Sequence, residues 1–184
     1  MIIRILLFLT LLSPALFLAF NIIIVEVLEP VKYIYTFTGA CSIILLFSTT
    51  LLSLIKNKIN LLKYRRMIGL YTFFYAFIHF LNFFVFDAQF DLNFVVKESL
   101  DKPFIYLGMI SLFILGFMAV TSFKSLYKKY YIYHRFIYLV MILVTIHFVN
   151  AQKALSIEQW VYLLIFIFIM AFKMNQQKSL LIKR

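Results

Sequence analysis

Six long apolar runs, separated by shorter polar segments, organise this chain. They cover residues 5–25, 37–55, 67–86, 103–123, 132–150 and 157–173. A bilayer core about 30 Å thick is crossed by about 20 apolar residues in a helix. The pattern therefore predicts an all-α integral membrane protein, a bundle of six transmembrane helices. Pro30 and Pro103 stand at span edges, where a helix start tolerates proline. Pro14 falls inside the first run and predicts a kink whose freed carbonyl a neighbouring helix re-satisfies. The connections are short except 87–102, which reads as an acidic loop. No repeat, low-complexity linker or second domain interrupts the pattern, so residues 1–184 read as one domain.

Composition supports lipid as the solvent. Hydrophobic residues make up 65% of the chain and charged residues 14%, against about 45–50% and about 25% in soluble domains. The first run, behind Arg4, has the look of a signal peptide. It lacks a small-x-small cleavage site leading into a soluble sequence, so it is expected to be a retained span. The single cysteine, Cys41, excludes an internal disulfide, a Cys-x-x-Cys-His haem attachment and a cysteine-ligated iron–sulfur cluster within one chain. Glycine is rare, and no Gly-rich nucleotide-binding loop is present.

Charge then orients the bundle. Fourteen of the 18 basic residues, and no acid, fall in one set of alternate segments. These are Arg4; Lys56, Lys58, Lys63, Arg65 and Arg66; Lys124, Lys128, Lys129 and Arg135; Lys173, Lys178, Lys183 and Arg184. The other set holds Lys32, Lys97, Lys102 and Lys153 with all seven acids: Glu26, Glu29, Asp87, Asp91, Glu98, Asp101 and Glu158. The positive-inside rule puts the first set, and both termini, in the cytoplasm. The net charge of +11 is then topology plus attraction to anionic lipid headgroups, and no nucleic-acid partner is expected. Tyr127, Tyr130, Tyr131 and Tyr133 fall at a cytoplasmic boundary, where an aromatic belt is the ordinary reading.

Three histidines, His79, His134 and His147, are the only ones in the chain, and all lie inside apolar runs. An ionisable residue in a span is a functional-site candidate by default, and imidazole is the usual ligand of haem iron. His79 lies roughly 18 Å along the third run, and His147 roughly 20 Å beyond His134 on the fifth. His79 and His147 thus share an outer depth on two different helices, as the two axial ligands of a haem do. Any one such histidine is equally well a hydrogen-bonded residue between helices. The matched pair favours iron.

His134 sits at inner depth, level with Arg65, and an inner haem there would have Arg65 or Arg66 beside its propionates or iron. Thirteen residues turn an ideal helix about 220° beyond whole turns, so His134 and His147 do not share a face unless the fifth span bends. Two axial histidines leave iron no open position, which suits electron transfer rather than oxygen activation. Gly39, Gly108 and Gly116 are places where helices or a porphyrin approach closely, plain helix packing being the commoner use. No acid pairs with a histidine within the spans, and no hydrolytic constellation is present.

Several stretches together resemble one family. Glu29-Pro-Val-Lys leading to Phe37-Thr38-Gly39, Arg65-Arg66-x-x-Gly69-Leu70 with Ala76-x-x-His79, Lys97-Glu98 with Pro103 and Leu107-Gly108, and His134-x-Phe-x-Tyr138-Leu139 with Ile146-His147 are similar, in order and spacing, to MsrQ (YedZ) proteins. The resemblance covers about residues 29–150. It implies a ferric-reductase-like transmembrane domain that binds haem b in the bacterial inner membrane. Such a protein takes electrons from a cytoplasmic flavin reductase or quinol. It passes them to a periplasmic molybdopterin methionine-sulfoxide reductase. It also implies that His79, His147 and His134 are the haem histidines, and that Arg65 is the arginine preceding the third span. FMN binding is a family property for which this sequence carries no separate signal. Where some relatives have histidine before Phe-Thr-Gly, this chain has Thr36.

Two other readings stay open. One is a haem-containing transmembrane reductase of ferric iron or other metals. The other is a non-redox transporter with histidine proton relays, against which stands the lack of any intramembrane acid and of paired broken helices.

Overall fold

The computed structural model describes residues 2–55 and 61–182, with side chains described as far as Gln176. Lys56, Lys58, Lys183 and Arg184 of the basic set, and the Lys178 side chain, lie outside the described residues. Among the described residues there are eight α-helices in this order: α1 (Ile2–Phe20), α2 (Pro30–Leu54), α3 (Leu62–Asn82), α4 (Leu92–Asp101), α5 (Pro103–Val120), α6 (Lys124–Tyr130), α7 (Ile137–Asn150) and α8 (Ile157–Ile182). Short π-helical turns extend α1 over Asn21–Val25 and α3 over Phe83–Asp87, and a 3-10 segment, Tyr131–Phe136, joins α6 to α7. Six stretches are long and apolar enough to cross a membrane: Ile2–Val25, Pro30–Leu54, Leu62–Asp87, Pro103–Val120, Lys124–Asn150 and Ile157–Gln176.

Local chemistry sets the boundaries. Pro30 and Pro103 occupy the first helical positions of α2 and α5, where a missing N–H leaves nothing unbonded. Lys102, held extended before Pro103 at φ −118 and ψ 100, separates α4 from α5 as a residue before proline does. The second span starts at Pro30 rather than at residue 37, because proline nucleates a polar first turn that hydropathy alone passes over. The segment read as a loop, 87–102, contains α4. Asp91 caps it, accepting from the Asn93 N–H at 2.8 Å, and Val95 is buried. The fifth span starts at Lys124, because the basic α6 and the 3-10 segment lead into α7.

The core lies where α2, α5, α7 and α8 converge on Leu46, Phe47, Leu115, Val140, Met141 and Ile169. Buried hydroxyls bond back into their own helices: Thr50 to the Leu46 carbonyl at 2.9 Å, Thr72 to Ile68 at 3.0 Å and Thr145 to Met141 at 2.7 Å. That is the ordinary use of Thr in a helix without water. The fully buried Tyr75 fastens α1 beside Pro14: its hydroxyl donates to the Leu11 carbonyl at 2.7 Å and accepts from the Ala15 N–H at 3.2 Å. The carbonyl that Pro14 itself frees, that of Thr10, accepts from the Ser13 hydroxyl at 2.9 Å within α1, and the phenol on α3 bridges the neighbouring Ala15 amide and Leu11 carbonyl.

Two paired histidines and a basic cavity

α3 and α7 each deliver a histidine near the end of the bundle that carries the acids. His79 lies in the last turn of α3, just before its π-helical extension, and His147 in the last turn of α7. The structure brings the two rings together, with centroids 6.2 Å apart and planes turned by 80°. Each ring is anchored from a different helix. His79 Nδ1 lies 3.1 Å from the Tyr35 carbonyl on α2, and His147 Nδ1 lies 2.5 Å from the Phe104 carbonyl on α5. A carbonyl only accepts, so the proton sits on Nδ1 in both rings and the lone pair on Nε2. An outer hydrogen bond of this kind fixes the tautomer and orientation of a ligating histidine.

Glycine makes room for both rings. A Cβ on Gly108 would lie 2.9 Å from His147 Cε1 and Nδ1, and one on Gly39 3.3 Å from His79 Cε1. Gly116 instead faces Phe73 at 3.3 Å. The Tyr35 ring stands edge-on to His79 at 5.2 Å, and Phe104 lies 6.1 Å from His147. One turn past His79, Asn82 donates to the Val31 carbonyl at 3.0 Å, while its buried Oδ1 has no partner among the described residues.

The 6.2 Å spacing, ordinary for packed rings, also fits a metal between them. A metal ion held about 2.0–2.1 Å from each nitrogen, with each ring centre about 1.1 Å further back, separates two imidazoles by roughly 6.3 Å. Among the described residues no group of three or more His, Cys, Asp or Glu side chains could hold an ion. Two imidazoles alone therefore suit a metal whose remaining ligands arrive with it, as in a porphyrin.

The third histidine stands apart. His134 lies in the 3-10 segment, at the opposite, basic end of the bundle. It lines a cavity of about 430 Å³ together with Arg65, Arg66, Lys124, Tyr127 and Ser122. Its Nε2 is 3.2 Å from the Thr121 hydroxyl, and Tyr127 stands edge-on to the ring at 5.0 Å. Thr121 already donates its hydroxyl proton to the Phe117 carbonyl at 2.8 Å, so it accepts from His134 Nε2. The free nitrogen of His134 is then Nδ1, the reverse of the other two rings. The 3-10 segment also answers the register question on this span. Three steps at about 120° and ten at about 100° leave His134 and His147 about 80° apart, against about 140° in an uninterrupted α-helix.

Sequence reasoning singled out all three histidines and Arg65. It did not find the anchoring roles of Tyr35 and Phe104, because a backbone carbonyl carries no side-chain signature.

The fold and these rings define a multi-pass membrane protein with a paired-histidine centre. A family model described as ferric reductase like transmembrane component matches residues 38–145, and the chain belongs to that family. The MsrQ resemblance is borne out by its relatives. The chain is 32% identical over 130 residues to the protein-methionine-sulfoxide reductase heme-binding subunit MsrQ of Agrobacterium fabrum, covering 68% of this chain and 60% of that one. It is 31% identical over 140 residues to the MsrQ of Brucella ovis, covering 73% and 64%. The chain thus spans less than two thirds of the length of these relatives. No solved structure matches.

Proposed function

We propose that this chain is a haem-binding electron-transfer protein of the bacterial inner membrane, with its basic end and both termini in the cytoplasm. His79 and His147 are the residues that would hold haem b, each through Nε2. The observation that carries this reading is the pair itself: two imidazoles at 6.2 Å, each with Nδ1 tied to a carbonyl and Nε2 left to bind. When bound, haem would supply reversible one-electron chemistry, and two histidines on its iron would leave no site for oxygen. The chain's own part is to hold both rings at a fixed angle, exclude water behind apolar helices and present charge at each end.

The cavity at the basic end takes a second, anionic cofactor. FMN fits it best. Arg65, Arg66 and Lys124 suit a phosphate, the volume of about 430 Å³ lies within the usual ligand range of about 300–1,000 Å³, and Tyr127 offers an aromatic wall. A second haem on His134 is the alternative, and ligation through Nε2 would require that nitrogen to give up Thr121. Electrons enter here from a cytoplasmic flavin reductase or quinol and leave at the acidic end. Their destination is a periplasmic molybdopterin methionine-sulfoxide reductase, as the relatives' names suggest, so that the chain supports repair of oxidised methionine by a partner.

Haem content and absorption spectra of the wild type and of His79→Ala, His147→Ala and His134→Ala test this. Loss of either paired histidine is expected to remove most bound haem, and loss of His134 to have a smaller or separate effect. Equal haem retention in all three variants would sink the assignment. A colourless, folded wild type would favour the proton-relay transporter, and reduction of ferric iron without any sulfoxide-reductase partner would favour the metal reductase.

A further inference from the structure

A single side chain links His79 to the surface at the acidic end. The Tyr35 ring packs edge-on against the His79 imidazole at 5.2 Å, and the Tyr35 hydroxyl donates to Asp87 Oδ2. The Tyr35 carbonyl also anchors His79 Nδ1. Asp87 is exposed and closes the π-helical turn after α3. An interior imidazole is therefore joined to an exposed carboxylate through one phenol.

The charge around this point is one-sided. Lys32 is paired with Glu29 at 2.8 Å and Lys102 with Glu98 at 2.5 Å. Glu26, Asp87, Asp91, Asp101 and Glu158 are exposed and form no ion pair among the described residues, which leaves Lys97 and Lys153 to oppose five acids. Asp87 and Asp91 flank one tight turn, in which the Asp91 N–H bonds the Ala88 carbonyl at 2.8 Å. Phe90, in that same turn, is 65% exposed.

We propose that Tyr35, Asp87 and the Asp87–Asp91 turn form the electron exit face of this protein, and that its occupant is a soluble one-electron acceptor protein presenting a lysine- or arginine-rich rim. The proposal rests on the paired-histidine haem reading. One electron leaves the chain and one reaches the acceptor; no covalent bond forms or breaks. The acidic turn steers the basic partner, and its phenyl ring gives the docked rim an apolar contact. Such complementarity acts mainly on the rate of encounter.

The test is stopped-flow re-oxidation of the chemically reduced holoprotein in nanodiscs, at low and high salt. The probes are a lysine-rich soluble cytochrome and a small uncharged quinone. For Asp87→Lys we expect the rate with the basic cytochrome to fall roughly tenfold or more at low salt, with the loss disappearing at high salt. Asp87→Asn, which keeps a hydrogen-bonding partner for Tyr35, gives a smaller loss in the same direction. Glu158→Lys, which makes the same charge change on α8 and outside the turn, changes the rate less than about twofold. The quinone rate stays constant throughout. Equal losses for Asp87→Lys and Glu158→Lys, or none for Asp87→Lys and Asp87→Asn, would overturn the exit face. A wild type without haem would instead overturn the reading beneath it.

Discussion

His79 and His147 meet with their ring planes turned 80° apart, each pinned by the carbonyl of a different helix. Two imidazoles held at this angle would leave the iron of a bound haem with two orbitals almost equal in energy. The oxidised haem protein is therefore predicted to give a highly anisotropic low-spin paramagnetic resonance spectrum, dominated by one feature at low field. Parallel imidazoles would give a rhombic spectrum with three resolved features, and that outcome would show that the two carbonyl anchors do not hold in the loaded protein.

Gly108→Ala is predicted to lose most bound haem. The new Cβ would lie 2.9 Å from two atoms of the His147 ring, and the ring cannot yield without leaving the Phe104 carbonyl. Gly69→Ala is the matched control: its Cβ meets only a Thr49 methyl at 3.8 Å. It should keep haem and gain roughly 0.5–1 kcal/mol from lower backbone entropy in the unfolded chain. Haem-to-protein ratio and thermal unfolding in detergent check both variants.

Tyr75→Phe should lower stability by about 1–3 kcal/mol, the cost of leaving buried polar groups of α1 unbonded. In a Pro14→Ala background the 15-to-11 helical bond can close by itself, and the cost of losing the hydroxyl should shrink. A double-mutant cycle read by denaturant or thermal unfolding measures this coupling. Simple additivity of the two changes would mean that Tyr75 does not serve the proline kink.

Arg65→Gln is predicted to weaken FMN binding by about 1.5–3 kcal/mol, the worth of a hydrogen bond to a charged group, or roughly ten- to a hundredfold in affinity. The haem spectrum assigned to His79 and His147 should not change, because Arg65 lines the cavity at the other end of the bundle. Flavin fluorescence titration and absorption spectra separate the two effects. A shifted haem spectrum with unchanged flavin affinity would move Arg65 to a different site.

Much of this was legible in the sequence, because a bilayer makes hydropathy explicit. Six apolar runs predicted six spans, and the depths of His79 and His147 predicted their meeting. What stayed hidden has physical reasons. The first turn of α2 is polar and rests on Pro30, so a hydropathy count starts the span late. The helix α4 is short and half polar, its register shown only by Leu92, Val96 and Leu100 on one stripe and Val95 on another. The 3-10 tightening before Ile137 leaves no mark in composition, so the angle between His134 and His147 is set by the backbone's local winding rather than by residue count. Gly39 and Gly108 were visible as small residues, but their contact with the imidazoles follows from helix pairing.

The bridge from Tyr75 to Leu11 and Ala15 has a further consequence for how the protein is made. α1 precedes α3 in the chain and so enters lipid before it, when the Ala15 amide and Leu11 carbonyl beside Pro14 do not yet have the Tyr75 hydroxyl. It buries only Leu11 and Leu18 in the finished bundle, so little else fastens it. Until α3 emerges, α1 is without the hydroxyl that these two groups bond in the finished bundle. Assembly then has an order: α1 gains this fastening only when α3, two helices later in the chain, brings its phenol into place.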